Sequence, residues 1–89
     1  MTISAAKAKK LLSQITYQNG EVRRKQPDAV DMFKDVVGVC CADLVTQLEL
    51  VMLKADQHPN CQTGMASITK EHIAEAFVSC LMVGAKDEV

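Results

Sequence analysis

Residues 27–54 read PDAVDMFKDVVGVCCADLVTQLELVMLK, an unbroken helical run. Val30, Phe33, Val37, Cys40, Cys41, Leu44, Leu48 and Val51 recur at spacings of three and four, which lays them along one side of an α-helix. Ala29, Met32, Val36, Val39, Val45 and Met52 make a second apolar stripe. What remains for water is a narrow strip of Asp31, Lys34, Asp35, Asp43, Gln47 and Glu49. The pattern predicts one helix from Pro27 to about Lys54, on the order of 40 Å long. A helix apolar around most of its girth needs cover on two sides, and the rest of the chain is short.

Working outward toward the N-terminus, Gln26-Pro27 opens the run, because proline suits the first helical position, where its missing amide would be unpaired anyway. Asp28 and Asp31 complement the helix dipole there. Before them Asn19-Gly20 signals a turn, and Glu21-Val22-Arg23-Arg24-Lys25 forms a short extended, basic connector. Ser4 to about Tyr17 reads as a short helix with Ala8, Leu11, Leu12 and Ile15 on one side. Lys7, Lys9 and Lys10 fall near its beginning, where the dipole disfavours cations, and read either as a solvated lysine face, the commoner case for each residue singly, or as contacts for a partner.

In the other direction Pro59 stops the long helix, and the polar residues up to Gly64 read as a loop. Met65 to Ile68 is a short extended piece. Thr69 is an N-cap, with Ile68 and Ile73 as a hydrophobic staple across it. Ile73, Ala76, Phe77, Cys80 and Leu81 form the buried stripe of a last helix, which Gly84 is placed to end. The whole, residues 1–89, is one all-α domain, with 1–3 and 85–89 as short flexible ends.

Composition narrows the function classes. The chain has 89 residues, 48% hydrophobic and 3% aromatic, so its apolar surface is aliphatic and a core borrowed from another subunit is expected. A net charge of −1 gives no global field toward nucleic acid or an anionic membrane, and binding to either must be local. Residues 1–8 lack a signal core, and charges interrupt the long apolar run, so secretion and membrane spanning are not expected. The four cysteines include no C-x-x-C pair, and His58 with Cys61 is half a zinc site, so thiols in a reducing intracellular compartment are expected and a metal is not. Catalysis is not expected either. Asp28, Asp31 and Asp35 are explained by the helix start, His72 reads as a surface residue or capping partner, and no Gly-rich phosphate loop is present.

Two stretches, Glu21-Val22-Arg23-Arg24-Lys25-Gln26-Pro27-Asp28-Ala29-Val30 and Ser67-Ile68-Thr69-Lys70-Glu71-His72-Ile73-Ala74-Glu75-Ala76, flank the long helix. In this order the chain resembles the histone fold, with a basic first loop, a central helix, and a second loop entering a third helix. The resemblance covers nearly the whole chain. It implies a handshake heterodimer with a second histone-fold protein, in which Val30, Phe33, Val37, Cys41, Leu44, Leu48, Val51, Ile73 and Phe77 face the interface. It also implies DNA contacts from Arg23, Arg24 and Lys25 of the first loop, Thr69 and Lys70 of the second, and Lys7, Lys9 and Lys10 of the first helix, all to phosphates and none to base edges. The chain departs from the family in lacking a strongly basic balance and a long basic tail, and in a longer loop from Ala55 to Ala66. These departures resemble the regulatory, non-nucleosomal members: nuclear factor Y, the negative cofactor of the TATA-binding protein, and the small subunits of DNA polymerase epsilon. The expected role is nuclear, in transcription or chromatin, with no cofactor. The alternative is a histone-fold scaffold subunit of a larger complex that makes no DNA contact of its own.

Overall fold

The computed structural model describes residues 4–37 and 41–87, and the side-chain surroundings of 4–37 and 43–82. Four helices make up its regular structure: α1 (Ala5–Leu12), α2 (Pro27–Val37), α3 (Cys41–Gln57) and α4 (Lys70–Asp87). Among the described residues β-pairing is limited to two isolated bridges, Thr16 with Val22 and Lys25 with Ile68. The all-α expectation holds.

The run from Pro27 is not one straight helix. Held straight, residues 27 and 57 would stand about 45 Å apart. Yet Arg23, four residues before Pro27, bonds Asp56 at 2.7 Å, and four extended residues plus two side chains reach about 25 Å at most. The far ends of α2 and α3 therefore return to each other, and the two helices are separate elements joined through Gly38, Val39 and Cys40, which lie outside the described residues. α4 packs against both α2 and α3, while α1 packs against α2. The role of central helix falls to α4.

This arrangement corrects the expected interface. Val30, Phe33, Val37, Leu44, Leu48, Val51 and Ile73 all belong to one core within the chain, and Phe77 is partly buried against it. Ala8, Leu12, Ile15, Met52, Ile68, Ala76 and Cys80 complete that core. A stripe that the chain's own helices cover offers no surface to a partner while the chain is closed. Cys41 lies in α3, and its side chain is outside the described residues. Leu81, expected inside, is exposed together with Leu50, Leu53, Val78 and Met82.

Local signals explain the helix boundaries. The Ser4 hydroxyl caps α1 by accepting from the Lys7 amide at 3.2 Å. The helix stops at Leu12 rather than Tyr17, since Ile15, Thr16 and Tyr17 are β-formers and Thr16 pairs with Val22 across the Asn19-Gly20 turn. Gly20 takes φ +90°, and the Asn19 side chain accepts from the Glu21 amide at 3.0 Å. Lys9 and Lys10 consequently sit in the last turn of α1, where the dipole favours them, and the electrostatic argument for a partner there falls away. At α4 the expected staple is present, with Ile68 and Ile73 both fully buried. Gly84 does not end α4, which continues to Asp87 and takes residues 85–87 out of the expected end. Glycine inside a helix costs about 1 kcal/mol and does not by itself stop one.

Candidate nucleic-acid interface

The first and second loops meet side by side. The Gln26 amide donates to the Ile68 carbonyl at 3.0 Å and the Ile68 amide donates to the Arg24 carbonyl at 2.8 Å, so Lys25 and Ile68 form a parallel bridge. Tyr17 braces the pair from within, its hydroxyl accepting from the Arg24 amide at 2.9 Å.

Extended backbone sends successive side chains to opposite sides, and the basic connector divides accordingly. Val22 and Arg24 are exposed, whereas Arg23 turns inward and is 1% exposed. Its guanidinium donates to both carboxylate oxygens of Asp56 at 2.7 and 2.8 Å, to the Ala66 carbonyl at 2.7 Å and to the Thr16 carbonyl at 3.0 Å. It also lies over the Tyr17 ring, 4.8 Å from the centroid. Asp56 accepts in addition from the Ala66 amide at 2.9 Å. Bonding to Arg23 holds its carboxyl below the usual carboxylate range, overcoming burial, with the Ala66 amide helping. Arg23 is therefore not a phosphate contact. It ties the first loop to the end of α3 and to the second loop.

The remaining cations separate into two groups. Arg24 and Lys70 are exposed on either side of the paired loops, Thr69 is half-buried between them, and the half-buried Lys25 donates from Nζ to the Arg23 carbonyl at 3.2 Å. Lys9 lines the same recess as Lys25, with Ala5, Pro27, Val30 and Asp31. Lys7 and Lys10 instead line a recess with Ala6, Leu11 and Gln14. Lys9 and Lys25 thus share one recess, the alternation of the connector sends Arg24 to the opposite side from Lys25, and Lys7 and Lys10 line a recess of their own.

The entry to α4 is capped by the His72 ring. The Thr69 amide donates to His72 Nδ1 at 3.1 Å, and the Thr69 hydroxyl lies 3.2 Å from the same nitrogen. His72 occupies the position that Glu or Gln takes in a capping box. Burial pushes its pKa below the ordinary value, against the opposing pull of Glu75 and Glu71, so the neutral ring that accepts this bond is favoured.

Sequence reasoning missed the Arg23–Asp56 clamp, although the alternation of an extended connector was a usable signal that one of three adjacent cations faces inward. Asp56 as its partner had no local signal. His58, Cys61, His72 and Glu75 line one cavity, but among the described residues no three His, Cys, Asp or Glu side chains stand together as a metal-ligand set. No described helix is long and apolar enough to cross a membrane. Comparison with protein-family profiles, curated proteins and solved structures finds no match for the chain.

Proposed function

We propose that the chain is a histone-type DNA-binding subunit, acting in the nucleus in transcription or chromatin regulation together with a second histone-type chain. The observation that carries this reading is the parallel pairing of the two loops, which brings Arg24 and Lys25 of the first loop beside Thr69 and Lys70 of the second. Guanidinium and ammonium groups on paired loops neutralise phosphates and release their counterions, with no need to read a base. Thr69 adds a hydroxyl donor beside them. The histone fold and its handshake come from the resemblance of the two loop sequences, and the loop pairing supports them.

The test is duplex binding over a series of salt concentrations. The dependence of log K on log salt should be steep for the parent chain and unchanged between unrelated duplexes. Replacing Arg24, Lys25 and Lys70 together by alanine should reduce the slope by about 2–3, near 0.9 per lost contact.

A second reading has its own support. The net charge is −1, Arg23 is withdrawn into the interior, Asp31 lines the recess of Lys9 and Lys25, and Glu71 follows Lys70 in the chain. These features fit a scaffold subunit that touches protein rather than DNA. Binding that is absent at low salt, in the parent chain as in the triple variant, favours the scaffold.

A further inference from the structure

The end of α3, the second loop and the first turns of α4 border a cavity of about 500 Å³. Sites for small molecules run from about 300 to 1,000 Å³ and combine apolar walls with a few placed polar groups. Here Val51, Ala55 and Ala66 supply apolar wall, and Lys54, His72 and Glu75 supply polar groups. Neither the loop pairing nor the Arg23 clamp uses Lys54 or Glu75. Lys54 Nζ stands 3.8 Å from Glu75 Oε1, longer than a hydrogen bond, and the two side chains are 77% and 54% exposed. An ion pair so long and so wet contributes little to stability, and its two charges can be exchanged for those of a ligand. His72 accepts at Nδ1 from the Thr69 amide at 3.1 Å, so its neutral ring carries the proton on Nε2, a donor that the cap does not use.

A ligand matched to this cavity carries one positive and one negative charge, only a few bonds apart, on an apolar body. An amine and a carboxylate on the same carbon meet that requirement. We infer that the cavity binds a free α-amino acid with an aliphatic side chain. Its ammonium pairs with Glu75, its carboxylate pairs with Lys54 and accepts from His72 Nε2, and its side chain covers Val51, Ala55 and Ala66. A plain carboxylate leaves Glu75 unmet and a plain amine leaves Lys54 unmet, so each satisfies half of the site. Ala66 also gives its carbonyl to Arg23 and its amide to Asp56. A ligand held on that wall is therefore linked to the clamp, and by binding only the folded chain it stabilises it. The inference involves no DNA contact and stands apart from the histone-type reading.

Calorimetric titration of the full chain with L-leucine, isocaproate and isoamylamine decides the matter, because the second probe is leucine without its amine and the third is leucine without its carboxylate. Leucine should bind saturably and several-fold more tightly than either. In K54M, leucine should fall to the level of isoamylamine, and in E75Q to the level of isocaproate. Both side chains are exposed, so both variants should keep the parent's helical circular dichroism. No saturable binding of leucine to the parent chain, or equal binding of the three probes, overturns the inference. Leucine binding left at the parent value in both variants overturns it as well. Should either variant lose its helical signal, the comparison of the three probes on the parent chain decides alone.

Discussion

Arg23 and Arg24 are neighbours in the chain and opposites in the fold. The inner side of the first loop is a dry clamp, where one guanidinium satisfies a carboxylate and two carbonyls from three different segments. On the outer side of the same loop Arg24 is exposed beside Val22, and the half-buried Lys25 donates to the Arg23 carbonyl. The difference teaches that residue type does not assign role here. The two-residue period of the connector does, burying one arginine in the clamp and leaving the next exposed for the phosphate contact proposed above.

The sharpest way to break the comparison is to remove each arginine in turn. R23A should destabilise the chain by about 3–5 kcal/mol in urea unfolding, because Asp56 is left as a buried charge without its counter-ion. R24A should stay within about 0.5 kcal/mol of the parent in the same experiment. A comparable loss from both would erase the distinction between the two sides.

Acid titration of stability separates them next. Asp56 has its folded pKa lowered from an ordinary 3.8, so the clamp's contribution is complete above that value and is lost as pH falls through the folded pKa. The R23A chain should lose this steep acid limb. His72 is lowered from an ordinary 6.5, so its contribution is present above that pH and is lost as pH falls through its lowered folded value. The smallest effect is expected from H72Q. Glutamine can still accept from the Thr69 amide, so stability near neutrality should hold while the shallow loss beginning below pH 6.5 disappears from the pH profile.

The parts of this fold that were legible in the chain rest on local chemistry. Pro27 marks the start of α2, Asn19-Gly20 the turn, and Ile68-Thr69 with Ile73 the start of α4, because each is a short-range rule about orphan amides or allowed dihedrals. The return of α3 toward α2 was not legible. Periodicity reports which face of a helix is apolar and is silent on whether the next turn continues the axis, and a single glycine inside an apolar run decides nothing. The two loops do pair in parallel, Lys25 against Ile68, but within one chain rather than across two. Arg23 escaped because its partner lies 33 positions away, beyond the reach of any spacing rule. Lys7 and Lys10 line a recess apart from that of Lys9 and Lys25, on a helix that ends at Leu12 rather than near Tyr17.

The central claim is that recognition belongs to the paired loops alone. It is tested most directly by comparing the salt dependence of duplex binding for R24A/K25A/K70A with that for K7A/K10A, two changes of similar charge at different places. The account predicts a slope reduced by about 2–3 in the first and left at the parent value in the second. A loss in proportion to charge removed, regardless of place, would contradict it.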